Sequence, residues 1–254
     1  MRSLVAKPAD GTSPPPDAKP RALCVTSNLM RKIISFILLT LPGSTFGQKT
    51  DTIFLKREIS QNPYPYYHAV FIDTTDKFRK QLTDFSFYGY DSSIYYSSLK
   101  KIKQIDNRWF ESCVAFPRRW VSAYKLKDVY YLYYPSDFGY HYTFQITDST
   151  VISHDMEGPS AGKGVLLKCN LSRNVELNMT IYSSATNVKI EMLDINRGIA
   201  LFEFSPQVAG KASYRKLMID AEKAYKFPTV VNYCKTQKME EYTFDSIDSI
   251  ILTE

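Results

Sequence analysis

The chain has few of the residues on which the commonest active sites depend. It contains only three histidines and four cysteines among its 254 residues, and neither a C-x-x-C pair nor an H-E-x-x-H motif occurs. A zinc knuckle, a thioredoxin-type redox site and a zincin-type metalloprotease are therefore not indicated. The sequence predicts no catalytic residue, no metal site and no cofactor, and it favours a protein that is not an enzyme.

Long apolar runs are also missing. The most apolar stretch near the N-terminus, residues 33–41, is nine residues long, whereas a helix needs about 20 to cross a bilayer. Arg31 and Lys32 precede this stretch, and residues 42–47 follow it with mostly small side chains. These are the three parts of a secretory signal peptide. We expect cleavage after Gly47, export to the periplasm or the outside of the cell, and no membrane span in the mature chain.

The residues before this signal peptide have almost no apolar pattern and include the run Pro14-Pro15-Pro16, so they cannot form a core. We expect residues 1–29 to be an over-extended start or a disordered tail, with Met1 and Met30 both open as the true first residue. Residues 30–47 are then the signal peptide, and residues 48–254 are a single β-rich exported domain.

A strong excess of positive charge is absent once the N-terminal segment is set aside. The whole chain has a formal charge of +6, but residues 48–254 hold 26 basic and 24 acidic side chains. A nucleic-acid-binding surface needs a concentrated basic stripe. We therefore expect no nucleic-acid partner.

Cysteines are too few for a disulfide framework. One of the four falls before the predicted cleavage point, which leaves Cys113, Cys169 and Cys234. Three cysteines in an oxidising compartment permit one disulfide and one free thiol, and the sequence leaves the pairing open. Cys169 alternates with Val165 and Leu167, which predicts that its side chain lies in the core as an inert thiol.

What the chain does have is aromatic and β-branched residues in alternating patterns. Such patterns at short spacing predict antiparallel strands joined by tight turns. The predicted fold class is mainly β, an antiparallel meander that forms either a barrel or a sandwich, with one helix from the C-terminal region packed on it. The predicted strands cover residues 53–59, 66–72, 119–126, 128–134, 140–147, 151–154, 165–169, 175–181, 188–192, 199–204 and 229–234, with short edge strands at 241–244 and 249–252.

Two segments have helical rather than alternating spacing. In residues 213–225, Leu217, Ala221 and Ala224 recur at helical intervals, and Pro228 prevents continuation of a helix. This segment is the predicted C-terminal-region helix. Residues 94–105 are a second, shorter candidate.

The glycine-rich stretch from Gly158 to Gly164 superficially resembles a phosphate-binding loop. Its glycine spacing is one residue too short, no serine or threonine follows Lys163, and a strand is predicted next instead of a helix. We expect a flexible hairpin loop that binds no phosphate.

Aromatic density is highest between residues 130 and 142, where seven of 13 residues are tyrosine or phenylalanine. Neighbouring residues in a strand point to opposite faces, so at least one face is expected to present tyrosine rings to solvent or a cavity. Such rings suit a ligand in a partly wet pocket, although cross-strand aromatic pairing would also explain the pattern. The predicted ligand-binding residues are Tyr131, Tyr133, Tyr140, Tyr142, Asp137 and His141.

The three histidines, His68, His141 and His154, are far apart along the chain. A metal site or a catalytic triad would need them to converge with other side chains, which the sequence does not show. Ordinary surface or cross-strand positions are expected instead.

These observations favour an exported, non-enzymatic module that binds an unknown small molecule, glycan or protein through a tyrosine-rich surface. Two alternatives stay open: a secreted hydrolase with an unrecognised active site, and a structural protein of the cell envelope.

Overall fold

The alternating patterns correspond to strands in the computed structural model, which describes residues 52–61, 66–102, 116–147, 150–170, 174–181 and 184–247. The predictions for residues 1–29, the signal peptide, Cys113 and residues 249–252 lie outside these ranges. The strands are β1 (Ile53–Ser60), β2 (Tyr66–Asp73), β3 (Arg119–Leu126), β4 (Val129–Tyr134), β5 (Thr143–Ile146), β6 (Thr150–Asp155), β7 (Gly158–Asn170), β8 (Asn174–Ile181), β9 (Ser184–Asp194), β10 (Ile199–Pro206), β11 (Tyr214–Asp220) and β12 (Thr229–Cys234). The helices are α1 (Asp76–Leu82) and α2 (Gly89–Lys101), and 3-10 helices cover Phe138–Tyr140 and Ala221–Lys226.

Eight of these strands close into an antiparallel barrel. β5 to β11 follow one another around the ring, and β3 closes it by pairing with both β11 and β5. At the closure, Trp120 lies opposite Asp220 on β11 and Phe144 on β5. Closure gives every strand of the ring a partner on both sides over at least part of its length. The predicted mainly β antiparallel fold is confirmed, and its form is a barrel.

Side chains fill the interior of this barrel. Alternation sends every second residue of a strand inward, and four inward rings, Trp120, Phe144, Phe202 and Phe204, have no exposed surface. The ring centre of Phe202 lies 5.2 Å from that of Trp120 and 5.5 Å from that of Phe144. Ligand sites are therefore to be sought on the outside or at the ends of the barrel.

β3 leaves the barrel halfway along its length. Residues 119–122 pair with β5 and β11, whereas Ala123 onward pairs with β4. β12 lies parallel to β4, and β2 and β1 continue this five-stranded extension. One face of the extension packs around Leu132 and Phe227, and the other around Val70 and Val230.

The predicted helix at residues 213–225 is wrong. This segment forms β11 and then the 3-10 helix Ala221–Lys226. Met218 belongs to the barrel core, whereas Leu217 and Ile219 pack on the opposite side. Burial of both faces with ladders to β10 and β3 outweighs the helical spacing of the apolar residues.

The helix that packs on the barrel is α2, which overlaps the second, shorter candidate. It contacts β7, and Ser98 Oγ accepts a hydrogen bond of 3.0 Å from the Ala161 amide. Pairing of β7 with β8 begins only at Lys163. The helix therefore satisfies part of the β7 edge that β8 leaves uncovered.

β7 corrects two further expectations. Residues 158–164 are strand and not a hairpin loop. Val165 and Leu167 are exposed, and the register shifts between Leu166 and Lys168. This bulge changes which residues face inward, so Cys169 packs against the core although Val165 does not. Cys169 is disulfide-bonded and is not an inert thiol, whereas Cys234 is free.

Two predicted strands are shorter or absent. β5 begins only at Thr143, because Asp137 caps the 3-10 helix Phe138–Tyr140 before it. Residues 241–244 form no strand; the Tyr242 and Phe244 side chains pack against the core, and the Tyr242 amide bonds to a side chain. Among the described residues, none of the helices has the length and apolar character needed to span a membrane.

Candidate functional site

Both faces of the tyrosine-rich strand β4 are covered. Tyr130 packs in the cluster with Leu132 and Phe227. Tyr131 and Tyr133, on the other face, pack with Val70 and Val230 and are 9% and 5% exposed. The expected open tyrosine face is absent from β4. Several tyrosines are exposed elsewhere: Tyr67, Tyr88, Tyr90, Tyr96, Tyr140, Tyr214, Tyr225 and Tyr233.

The hydroxyl of Tyr133 is part of a hydrogen-bond network that anchors the C-terminal segment. It donates to Glu241 Oε2 at 2.5 Å and accepts from the Tyr242 amide at 2.9 Å and from Asn232 Nδ2 at 3.0 Å. Burial, reinforced by the hydrogen bond to Glu241, raises the pKa of Tyr133. His68 Nε2 lies 2.7 Å from Asn232 Oδ1, so the network joins β2, β4 and β12 to the C-terminal segment. These contacts support a structural role for Tyr133.

Asp137 has a local structural role of the same kind. Its Oδ1 accepts a hydrogen bond of 3.1 Å from the Gly139 amide, and its Oδ2 lies 2.5 Å from Lys238 Nζ. The hydrogen bond from Lys238 is the main reason that the pKa of Asp137 is lowered. The carboxylate therefore caps a turn and pairs with the C-terminal segment.

Tyr140 and Tyr142 lie in different environments. Tyr140 is exposed in the 3-10 helix, whereas Tyr142 points into the end of the barrel and is 5% exposed. The hydroxyl of Tyr142 accepts from Ser153 Oγ at 3.3 Å, and burial raises the pKa of Tyr142. The structure does not gather the six predicted residues into one site.

His141, in contrast, lies in a cleft together with His154. The cleft has a volume of about 310 Å³ and lies between the loop before α2, the turn after β4 and the start of β5. His154 comes from β6, where it pairs across the sheet with Thr143. The cleft is lined by Gln81, Asp84, Ser86, Tyr88, Asp91, Tyr134, Phe138, His141, Thr143 and His154.

Both imidazoles in this cleft are uncharged near neutral pH. Burial lowers the pKa of His141 to about 4, and the nearby His154 adds to the effect. Burial also lowers the pKa of His154, although Asp91, 3.6 Å away between Oδ2 and Nε2, opposes that shift. His141 Nε2 donates to the Leu82 carbonyl oxygen at 2.9 Å, which leaves Nδ1 as a hydrogen-bond acceptor.

Aromatic rings form the apolar part of the cleft. The ring centre of Phe138 lies 5.5 Å from that of Tyr134 and 5.1 Å from that of His141. Tyr88, at the N-terminus of α2, is 73% exposed and has no side-chain capping bond. The cleft thus combines aromatic faces with neutral hydrogen-bonding groups and two carboxylates, Asp84 and Asp91.

The polar groups of the cleft do not form a metal centre. Throughout the described part of the chain, no group of three or more histidine, cysteine, aspartate or glutamate side chains is placed to hold a metal ion. The cleft contains two histidines and two aspartates, which can donate and accept hydrogen bonds.

Two serines bear on the hydrolase alternative. Gly158-Pro159-Ser160-Ala161-Gly162 has the G-x-S-x-G spacing of a nucleophile elbow, but that motif needs a sharp strand-to-helix turn, and these residues lie within β7. Ser86 lies in the cleft with the Asp91–His154 pair. No hydrogen bond joins its hydroxyl to a histidine among the described residues, so a nucleophile–base pair is not assembled.

The cleft could not be found from a local motif. Its residues come from separate segments, around residues 81–91, 134–143 and 154. Only His141 was among the predicted ligand-binding residues. The other histidine, His154, reaches the cleft because β6 pairs with β5, which places it directly opposite Thr143.

Comparisons with known proteins add no family. No protein-family model matches the chain, and neither the curated proteins nor the solved structures give a match.

Proposed function

We propose that the protein is an exported, non-enzymatic binding module that holds a sugar unit in the cleft containing His141 and His154. The observation that carries this proposal is the pairing of aromatic faces, Tyr88 and Phe138, with two uncharged imidazoles in one cavity. The barrel interior is filled, so this outer cleft is the better candidate for a small ligand.

The chemistry of a sugar matches these groups. Its C–H face packs on an aromatic ring, and its hydroxyl groups both donate and accept hydrogen bonds. Asp84 and Asp91 accept from hydroxyls, and the Nδ1 atom of His141 is a further acceptor. A volume of about 310 Å³ is at the small end of ligand pockets, which favours one or two sugar rings over a long chain.

Replacement of Tyr88 tests the proposal. We expect the wild-type protein to bind members of an immobilised glycan array, and Tyr88→Ala to weaken that binding about fivefold, or about 1 kcal/mol, through loss of a stacking ring. Titration calorimetry with the best glycan measures the effect. Because Tyr88 is largely exposed, its removal is not expected to unfold the protein.

The matched control is Tyr225→Ala. Tyr225 is also an exposed tyrosine, at 64%, but it lies on the 3-10 helix Ala221–Lys226 and outside the cleft. The Tyr225→Ala variant is expected to bind the glycan with unchanged affinity. Absence of any glycan binding by the wild type, or equal affinities for wild type and Tyr88→Ala, would contradict the proposed site.

The hydrolase alternative makes a different prediction for the same cleft. It requires Ser86 to act with His154 and Asp91, and hence turnover of small chromogenic esters that Ser86→Ala abolishes. The binding proposal predicts that neither the wild type nor Ser86→Ala turns over these esters. It also predicts that Ser86→Ala binds glycan as tightly as the wild type, or more weakly by the equivalent of one hydrogen bond.

A further inference from the structure

A second cleft lies where β3 and β11 separate. The two strands pair only from Trp120 to Ser122 and from Met218 to Asp220. Beyond these residues β3 turns into the five-stranded extension while β11 stays with β10. The gap holds a cleft of about 370 Å³.

The C-terminal segment crosses this gap and supplies one wall of the cleft. The Asp245 amide donates to the Lys125 carbonyl oxygen at 3.0 Å, and the ring of Phe244 packs 4.7 Å from that of Tyr124. Tyr242 packs against Phe244 at 5.1 Å and also lines the cleft. Half of the residues that line the cleft are aromatic or aliphatic.

Lys216 is the exceptional group in this cleft. It lines the cleft and is partly buried, and its Nζ lies 4.2 Å from the ring centre of Tyr142. Among the described residues, no carboxylate lies within 4.0 Å of Nζ, and the nearby Asp155 acts on Lys216 only at longer range. Burial lowers the pKa of Lys216, as expected for an ammonium group that lacks a close anion.

The other charged groups of the cleft differ from Lys216. Arg215 Nε pairs with Glu203 Oε2 at 3.5 Å, and Lys125 Nζ lies over the ring of Tyr130, 5.7 Å from its centre. One carboxylate, Asp245, is on the lining. The cations of the lining thus outnumber its acids, and within the described ranges the half-buried Lys216 has no carboxylate within ion-pair distance.

We propose that this cleft binds an organic anion, a carboxylate or sulfonate on an aromatic or aliphatic body, with Lys216 as the counter-ion. The anion would give a close counter-ion to a partly desolvated ammonium group that contacts the Tyr142 ring but no carboxylate of the described residues. Its apolar body would lie between Tyr124, Tyr242 and Phe244. This site is separate from the cleft of His141 and His154 and does not depend on the proposed sugar binding.

A pair of dyes of similar shape tests the proposal on the full-length protein. The anionic probe is 8-anilinonaphthalene-1-sulfonate, and the uncharged counterpart is N-phenyl-1-naphthylamine, both followed by fluorescence titration. We expect Lys216→Met to weaken binding of the anionic dye about tenfold, the loss of one charge-assisted contact, and to leave the uncharged dye unaffected. Lys216→Arg is expected to restore most of the affinity.

The control is Lys189→Met, which removes an exposed lysine on β9 that pairs with Glu191 at 3.6 Å. Near-UV circular dichroism confirms that each variant is folded, since this anionic dye also binds molten states. Absence of anionic-dye binding to the wild type, unchanged affinity in Lys216→Met, or an equal loss for both dyes would overturn the proposal.

A second measurement applies even where Lys216→Met does not fold. Acetylation of lysines in the wild-type protein is followed by peptide mass spectrometry with and without benzoate, with benzyl alcohol as the neutral control. We expect benzoate alone to protect Lys216, and Lys189 to react equally in all three samples. Equal acetylation of Lys216 with and without benzoate would overturn the proposal.

Discussion

At the scale of single residues, burial determines which of the aromatic and titratable side chains are available for binding. Tyr133 and Tyr142 carry hydroxyl groups that already have protein partners. His141 is half-buried, and its hydrogen bond to the Leu82 carbonyl oxygen uses only one ring nitrogen. Among the described residues, no hydrogen bond engages the other ring nitrogen of His141, whereas the Tyr133 hydroxyl donates one hydrogen bond and accepts two. For this reason the proposed ligand site lies at His141.

The uncharged state of His141 predicts a component of the pH dependence of stability. Its pKa is lowered from 6.5 to about 4 by burial, so between these values the unfolded chain takes up a proton that the folded protein does not. Stability therefore falls as the pH drops from 6.5 to 4, by about 3 kcal/mol from this group. His141→Gln is expected to remove this component, as measured by urea unfolding across that range.

The quantity to compare is the difference in unfolding free energy between wild type and His141→Gln. It is expected to favour the wild type most at pH 7 and to shrink, or change sign, towards pH 4. Carboxylates that titrate in both proteins cancel in this difference. A difference that is independent of pH would contradict an uncharged, buried His141.

At the scale of elements, the packing of α2 on β7 depends on a glycine. Gly158 has φ +95°, and a Cβ atom there would lie 2.9 Å from Ile94 Cδ1 of the helix. Gly158→Ala is therefore expected to destabilise the protein through both backbone strain and a clash with α2. Gly210 has φ +83° with nothing within 4 Å of the equivalent position, so Gly210→Ala reports the strain alone.

The difference between these two variants measures the helix contact. We expect Gly158→Ala to lower the unfolding free energy by about 1 kcal/mol more than Gly210→Ala does, the low end of the cost of overpacking, because the contacted Cδ1 is the end of a flexible side chain. Adding Ile94→Ala to Gly158→Ala is expected to recover part of that excess. Equal losses for the two glycine variants would contradict a close contact between Ile94 and Gly158.

Most individual strands could be predicted because alternation is a local property. β3 and β12 have the predicted bounds. The errors arise where tertiary contacts override local spacing. Ladders to two neighbours made β11 a strand in spite of helical spacing, and the bulge after Leu166 reversed the faces of β7. Neither the second neighbour nor the bulge has a local sequence signal.

At the scale of the whole molecule, barrel closure could not be predicted from the sequence, because it too depends on tertiary contacts. It depends on three residue pairs between β3 and β5. Alternation within a strand does not indicate which distant strand it pairs with. The candidate site follows from closure: pairing of β5 with β6 places His154 beside His141. One member of the cleft could be predicted from its aromatic neighbourhood, but its companions could not.

The sharing of β3 between the barrel and the five-stranded extension predicts one cooperative unfolding transition. Val230 lies in the extension and Leu177 in the barrel core, each fully buried. Val230→Ala and Leu177→Ala are each expected to lower the free energy of unfolding by about 1–5 kcal/mol.

With Trp109 replaced by phenylalanine, Trp120 fluorescence reports on the barrel alone and far-UV circular dichroism on all strands. Loss of the β3 pairing in the extension is expected to disrupt its pairing in the barrel as well. Val230→Ala is therefore expected to shift the fluorescence and circular dichroism transitions equally. Fluorescence unchanged by Val230→Ala while circular dichroism shifts would show that the extension unfolds independently.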